Sequence, residues 1–506
     1  MKVFLMHPDR DFPVKAELPS HHEPLTADLE LETLLGAMAA GDAFLHEVAR
    51  RALLLGLRDP EEIRYRQQVL VDCLNNPELI RELYDLAGEA IGAQKRVWGF
   101  VQDSPSTVLS RSVEKMAILL GYLRRLRALC DEHAAQVRSP AFTRFFAMLR
   151  EELDEPYFAQ VDEQLRELRF KNGKLLSARL GTGNRGAGYV LRHPREQGWL
   201  GRVFDRSGYS FTIPERDNNG FKALSELEDR GLNLVANALA QSIDHVLGFL
   251  VMLRTEAGFY VSCVNLGQAL SARSQSTSLP RPFPIGETAL SAESLYDISL
   301  SLTTDEPVVA NDLAADDKTL VMITGANQGG KSTLLRSIGV AQLMMQAGMF
   351  VGAASFTADI CEEIFTHYKR EEDEDLESGK LDEELSRMSQ IAERIRPECL
   401  LLCNESFAST NEREGSEIAR QVVRALLDQR VKVAFVTHMF DLAHGLYRDR
   451  LDGALFLRAQ RGRDGERSYK LVQGEPLPTS FGEDSYERVF GRPLRAEPPA
   501  VPKAER

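Results

Sequence analysis

One stretch constrains this chain more than any other: an apolar run breaks into a glycine-rich turn and then becomes a helical pattern, Leu320-Val-Met-Ile-Thr-Gly-Ala-Asn-Gln-Gly-Gly-Lys-Ser-Thr333. Gly325 to Ser332 fits GxxxxGK[ST] without a mismatch. Such a turn cradles phosphates: its glycines let backbone N–H groups close on the anion, Lys331 reaches the β and γ oxygens, and the Ser332 hydroxyl can hold Mg²⁺. Both flanks agree. Val321, Met322 and Ile323 suit a buried strand, and Leu334, Leu335, Ile338 and Ala341 recur at helical spacing, so a helix N-terminus would face the anion.

The 506 residues give room for roughly three or four domains of about 150 residues each. With 43% hydrophobic and 27% charged residues the composition is that of an ordinary soluble protein. No apolar run approaches the roughly 20 residues of a membrane span, and Met1-Lys-Val-Phe-Leu-Met-His-Pro8 has no signal-peptide core, so a cytoplasmic location with no membrane partner is expected. The six cysteines form no CxxC pair and suit small buried hydrophobes better than a zinc site or a disulfide framework. A net charge of −14 argues against a chain coated in nucleic acid. The charge is polarised, however. Residues 166–206 carry ten Lys or Arg against three acids, and residues 361–386 carry eleven acids against three bases. Any DNA contact is expected from the first region.

Residues 1–24, with four prolines and His21-His22, suggest an extended lead-in. From 25 to 165 apolar residues recur at three and four spacing, as in Leu31, Leu34, Leu35 and Met38 or Met116, Leu119, Leu120 and Leu123, which predicts a helical core. Asp59-Pro60-Glu-Glu and Asn76-Pro77-Glu78 mark helix starts. Over 166–220 the period changes. Lys174 to Leu180, Gly188 to Arg192 and Tyr209 to Ile213 suggest short strands in a basic, β-containing insertion. Gly181-Thr-Gly-Asn-Arg-Gly186 satisfies GxGxxG, but a strand-like run follows it where a dinucleotide fingerprint needs a helix, so a hairpin turn is the better account. Helical periodicity over 221–270 predicts a long amphipathic helix or a pair of helices, the Ser- and Pro-rich 271–290 a linker, 291–490 an α/β domain with a largely parallel sheet, and 491–506 a disordered tail.

Two further strand ends carry polar residues. Cys399-Leu-Leu-Leu-Cys-Asn-Glu405 has the form of a Walker B strand, with Asn404 where an Mg²⁺-positioning acid is usual and Glu405 where a carboxylate orients the attacking water. Val431-Lys-Val-Ala-Phe-Val-Thr-His438 ends in a histidine that could sense a γ-phosphate or simply be structural.

Together these pieces make residues 308–486 resemble the ATPase domain of the MutS family of DNA mismatch-repair proteins. The likeness rests on Asn311-Asp312, the 323–333 loop, Ala347-Gly-Met-Phe-Val-Gly-Ala353, Ile364-Phe-Thr366, Asn404-Glu405 followed by Ser409-Thr410, Thr437-His438-Met-Phe440, Ser468-Tyr-Lys-Leu-Val-Gln-Gly474 and Ser480-Phe-Gly482. The earlier helical block is similar to the family's core and lever, from Phe44-Leu-His-Glu-Val48 to Ile63-Arg-Tyr-Arg66 and along the 221–253 helix. The implied fold is multidomain: an all-α core and lever with a small β-containing insertion, followed by a P-loop α/β domain of ABC type. The resemblance implies ATP and Mg²⁺ as cofactors. Gly325, Ala326, Asn327, Gln328, Gly329, Gly330, Lys331, Ser332 and Thr333 would bind nucleotide, with Ser332 and Asn404 at the metal. Glu405, His438 and Asn327 would be catalytic: the general base, the γ-phosphate switch and a positioner of water. It also implies a homodimer in which each site is completed in trans.

Three features depart from the family. Asn404 replaces the Walker B Asp, and a neutral amide holds Mg²⁺ less strongly than a carboxylate. Ser378-Gly-Lys-Leu-Asp-Glu-Glu-Leu-Ser386 stands where a Ser-Thr-Phe signature is expected; the acids before it, Glu371 to Asp375, suit a solvated loop better than a place near the metal. No room precedes the helical core for the family's mismatch-reading domain, so direct mismatch reading is not expected. The resulting expectation is a nucleotide-gated clamp on double-stranded or branched DNA, in repair or recombination, with Arg179, Arg185 and Arg192 meeting phosphates. The alternative is a slow or non-hydrolysing scaffold that binds a repair protein.

Overall fold

A computed structural model describes residues 1–96, 105–170, 173–184, 186–192, 212–214, 217–325, 329–370, 379–461 and 467–478. In chain order the helices are α1 His22–Asp28, α2 Leu31–Ala39, α3 Ala43–Leu55, α4 Pro60–Asn75, α5 Pro77–Lys95, α6 Pro105–His133, α7 Pro140–Glu152, α8 Glu155–Glu167, α9 Asn218–Ala272, α10 Ile298–Thr303, α11 Lys331–Gln346, α12 Lys380–Ala392, α13 Glu412–Asp428 and α14 Phe440–Arg448. The strands are β1 Leu175–Leu180, β2 Gly186–Arg192, β3 Arg281–Phe283, β4 Leu290–Leu295, β5 Asn311–Ala314, β6 Leu320–Thr324, β7 Ser355–Asp359, β8 Ile364–Tyr368, β9 Leu400–Asn404, β10 Lys432–Val436, β11 Ala454–Arg461 and β12 Arg467–Gln473. The chain divides into two compact units, Met1–Phe12 with Asn75–Ala257, and Pro13–Leu74 with Gly258–Arg506.

The first unit is helical. Leu79, Ile80 and Leu83 of α5, Leu119, Leu120 and Leu123 of α6, Phe142 and Phe145 of α7 and Leu250 and Leu253 of α9 are all buried. Their spacing of three and four puts each set on one helix face, which is why these segments form amphipathic helices rather than strands. The starts are capped locally: Ser139 Oγ accepts from Phe142 N, and the Asp154 carboxylate accepts from Tyr157 N. The basic insertion contributes an antiparallel hairpin, β1 with β2, turned by residues 182–184. A strand therefore follows the GxGxxG run, as a hairpin requires. Of the third expected strand, Thr212 and Ile213 are irregular and Tyr209 to Phe211 lie outside the described residues.

The first residues of the chain are not loose. Leu5 and Met6 are fully buried, and the Glu256 carboxylate accepts from the backbone N–H groups of Leu5 (2.6 Å), Met6 (3.1 Å) and Phe12 (3.1 Å). By length and composition α9 could cross a membrane. Within the second unit its last turns bury Phe259, Tyr260, Cys263 and Leu266 completely, the pattern of a core helix.

The second unit holds two sheets. Six strands run in the order β12-β11-β6-β10-β9-β8, parallel except for the antiparallel edge strand β12. β6, β9 and β10 read as continuous apolar runs because both faces of this sheet are covered. On one face Leu401, Cys403, Val433 and Phe435 pack with Ala419 and Val423 of α13 and Leu442 and Leu446 of α14. On the other lies α11, so close that a Cβ on Gly339 would stand 2.5 Å from Leu402 Cδ1. The smaller sheet runs β3-β7-β4-β5. Its edge strand β3 corrects the expectation of a plain linker over 271–290: Arg281–Phe283 pairs in parallel with β7. Pro282 is tolerated there because an edge strand leaves one side of its backbone unpaired. The expected tail, 491–506, lies outside the described residues.

Burial pushes the Glu256 carboxyl from 4.5 up to about 7, against the pull of its three N–H donors. A folded-state pKa above the unfolded value means the native chain holds the extra proton between those values, so the stability Glu256 contributes falls as pH rises through that window. At about 1.36 kcal/mol per pKa unit the fall approaches about 3 kcal/mol. In urea titrations the wild-type chain should therefore lose up to about 3 kcal/mol relative to Glu256→Gln between pH 5 and pH 8. A gap that stays constant would show the carboxylate ionised throughout.

Candidate functional site

Three parallel strands of the six-stranded sheet, β6, β10 and β9, are neighbours, and their C-terminal ends bring together residues more than a hundred positions apart in sequence. β6 ends at Thr324 and passes into Gly325, whose φ of 121° excludes other residues; a Cβ there would also lie 2.8 Å from Ala459 Cβ and 2.9 Å from Ala459 N. The turn closes at Gly330 (φ 87°), where a Cβ would lie 3.1 Å from Tyr469 O. Glycine is thus required at both ends of the turn by backbone conformation and close approach alike. Gly329 lies in the turn; Ala326, Asn327 and Gln328 fall outside the described residues.

Lys331 begins α11 and is only 5% exposed. Its Nζ donates to Gly325 O at 2.7 Å and stands 3.7 Å from Glu405 Oε1. Ser332 follows at the exposed helix start and donates from Oγ to Asn404 Oδ1 at 2.9 Å; Thr333 is half-buried. Asn404 is the last residue of β9, level with Val436 of β10. The next residue, Glu405, takes a left-handed backbone (φ 55°), and its N–H donates to Val436 O at 2.9 Å. Phe407 repeats this at φ 63°. For residues with a Cβ each such conformation costs roughly 1–2 kcal/mol, and it persists only where the surroundings hold it. Here it turns the Glu405 side chain towards its neighbours. Glu405 Oε2 accepts from His438 N at 3.2 Å and pairs with His438 Nδ1 at 2.5 Å.

Lys331, Ser332, Asn404, Glu405 and His438 therefore form one connected set. Burial lowers the Lys331 pKa, and the nearby Glu405 charge offsets only part of that. Burial works against the Glu405 carboxylate, but hydrogen bonds from His438 and the Lys331 charge outweigh it and hold the carboxyl below its usual range. The bond to Glu405 raises His438, burial notwithstanding. Among the described residues no group of three or more His, Cys, Asp or Glu side chains is arranged to hold a metal ion. The oxygen donors at the turn are one hydroxyl and one amide, both hard ligands of the type Mg²⁺ accepts, and they fit an ion that arrives with further oxygens of its own.

Two other groups support the site: Asn311, part of the family likeness, and His367, which does not stand out in the sequence. Asn311 on β5 fastens β12 beside the turn, with Nδ2 donating to Tyr469 O (3.2 Å) and Oδ1 accepting from Leu471 N (2.8 Å). His367 on β8 contacts Ser406 Oγ at 2.7 Å through Nδ1 and Glu384 O at 3.0 Å through Nε2. Burial pushes His367 down to about 4, so the ring is neutral and ties the residue after Glu405 to α12. Of the three arginines expected to meet DNA, Arg179 lies on β1 and Arg192 ends β2, with its Nε donating to Ser177 Oγ at 2.8 Å. Arg185 lies outside the described residues.

The Glu405–His438 pair fixes a direction of titration. His438, raised in the fold, contributes stability fully below pH 6.5 and loses it as pH rises through its folded pKa; Glu405, lowered, contributes above pH 4.5 and loses it as pH falls. Histidine NMR should therefore place the His438 transition above 6.5, and Glu405→Gln should move it down. No movement would separate the two side chains in solution.

Two family profiles match the chain: the MutS2 N-terminal domain over residues 58–273 and MutS domain V over residues 321–481. Endonuclease MutS2 of Thermus thermophilus is 27% identical over 377 residues, which cover 73% of this chain and 48% of that protein. The human MutS protein homolog 4 is 24% identical over 242 residues, covering 47% of this chain and 25% of that protein. The chain thus spans half or less of the length of these curated relatives. The second profile contains the strand ends that carry Lys331, Ser332, Asn404, Glu405 and His438, and the first contains the helices of the other unit from α5 to α9. The chain is a member of the MutS family.

Proposed function

We propose that the chain binds ATP at the 325–333 turn, in the P-loop arrangement of an ATPase, and hydrolyses it slowly. The convergence of Lys331, Ser332, Asn404, Glu405 and His438 on one sheet edge carries the proposal. Backbone N–H groups of the turn and the N-terminus of α11 receive the phosphates. Lys331 Nζ, bonded to Gly325 O, exchanges that carbonyl for phosphate oxygens and stabilises the charge that builds up in the transition state. Glu405 orients the attacking water and takes its proton. His438, bonded to Glu405 through both its backbone and its ring, reports the state of the γ-phosphate to that carboxylate. Ser332 and Asn404 would hold the Mg²⁺ accompanying ATP, which neutralises phosphate charge. Asn327 is proposed to assist in placing the water.

The family relationship and the basic hairpin support a role on DNA in repair or recombination, with the nucleotide state opening and closing a homodimeric clamp. Arg179, Arg185 and Arg192 would meet phosphates. A second arrangement has its own support: Asn404 supplies an amide where a carboxylate would hold the ion more firmly, which favours retention of ATP over turnover and a scaffold for a repair protein.

Glu405→Gln should keep ATP binding and abolish hydrolysis, while Lys331→Ala should weaken binding roughly tenfold to a hundredfold, the range of one lost hydrogen bond to a charged group. Fluorescent-nucleotide titration and phosphate release check both, and unchanged hydrolysis by Glu405→Gln would remove the assigned base. Reversing charge at Arg185 and Arg192 should lower duplex affinity and flatten the salt dependence of log K by about 2, close to 0.9 for each phosphate that is no longer neutralised. DNA-independent ATPase activity together with an unchanged salt slope would favour the scaffold.

A further inference from the structure

A second anion-binding feature lies elsewhere in the same unit. At the C-terminal end of β8 a cavity of about 130 Å³ opens between that strand, the start of α1 and the exposed side of α12. Arg370, Arg387 and Arg394 line it, with Ser20, Thr366 and Gln390 supplying neutral hydrogen-bonding groups. Among the described lining residues one is a carboxylate, Asp28, which is hydrogen-bonded to Thr366 and feels the charges of Arg370 and Arg387. β8 is three strands along the sheet from β6, about 14 Å at the usual strand spacing, so this cavity is separate from the 325–333 turn.

Arg387 keeps a hydrogen-bonding group to spare. Arg387 donates from Nη1 to Tyr368 O at 2.9 Å, but its buried Nε makes no hydrogen bond among the described residues, and the nearest carboxylate, Glu383 Oε1, is 3.6 Å away. Arg394 gives one donor to Ser20 Oγ at 3.0 Å. Burial, then the neighbouring Arg370 charge, depresses the Arg387 guanidinium against the pull of Glu383, Asp28 and Glu384, and burial raises the Asp28 carboxyl, which weakens one of these counter-charges. Guanidinium groups this close together are stabilised by an oxyanion that can accept from more than one fork at once. The size limits the occupant: ordinary small-molecule pockets run to about 300–1,000 Å³, so 130 Å³ suits a single tetrahedral oxyanion rather than a nucleotide.

We propose that the cavity formed by Arg370, Arg387 and Arg394 beside β8 is an accessory binding site for a free phosphate-type oxyanion. It stands on this geometry alone and does not depend on ATP binding at Lys331. Its position gives it a route to the other site: His367, the residue before Tyr368, holds Ser406, which follows Glu405.

Calorimetric titration of inorganic phosphate at constant ionic strength, into the full chain carrying Lys331→Ala, tests the proposal because phosphate could otherwise occupy the turn. One saturable site should remain in that background. Adding Arg370→Gln and Arg394→Gln, both exposed positions whose change leaves the core intact, should weaken it at least about tenfold. Sulfate should compete, whereas chloride should not. Binding that disappears with Lys331→Ala alone, or that survives both arginine changes undiminished, would overturn the proposal. Failure of ATP binding in the wild-type chain would leave it standing.

Discussion

The site depends on a helix that has almost no surface of its own. From Ser337 to Gln346 every residue of α11 is buried, and such a helix can hold polar side chains only if each finds a partner. Gln342 donates to Asp359 O and Gln346 Oε1; Gln346 in turn exchanges hydrogen bonds with the backbone of Cys361 and donates to Leu57 O. These bonds fix the helix along its axis and about it. Gly339 lets it lie close on Leu402, so the first residue, Lys331, is held rigidly at the end of β6. Losing the fit at Gly339 would displace Lys331 without touching it.

Two of the left-handed residues with a Cβ lie where the chemistry is proposed. Glu405 and Phe407, both left-handed, bracket Ser406, whose hydroxyl donates to His367 O while the His367 ring approaches it from the other side. The backbone after β9 is therefore held from β10 through Glu405 N and from β8 through Ser406. A carboxylate presented in this way does not need to be reoriented when a ligand arrives, which is the condition for electrostatic preorganisation.

Much of this is legible in the sequence, for identifiable reasons. A phosphate-cradling turn must be contiguous, so Gly325 to Ser332 announces itself in eight residues. Asn404, Glu405 and His438 can be picked out because a buried parallel strand is apolar throughout and any polar residue at its end is conspicuous. The helices of the first unit follow from their apolar spacing. Other features are hidden because they depend on pairings between distant segments. His367 and Ser406 are 39 positions apart, and Glu256 sits in a long apolar helix with nothing local to show that it receives three N–H groups from the chain start. The arginine cavity draws on segments more than 300 positions apart. β3 escapes a sequence reading because proline usually argues against a strand, and only its place at the sheet edge makes Pro282 acceptable.

The clasp at Glu256 has a consequence for handling and turnover of the protein. Leu5, Met6 and Phe12 give their N–H groups to a carboxylate that has no water to replace them. Trimming the first dozen residues, by an exopeptidase or by a shortened expression clone, would strip that carboxylate of its donors inside an apolar helix bundle. A cut that looks like loss of a dispensable end would then leave a buried carboxyl that has lost its three donors and must take up a proton or draw in water, in a bundle prone to open and to be degraded.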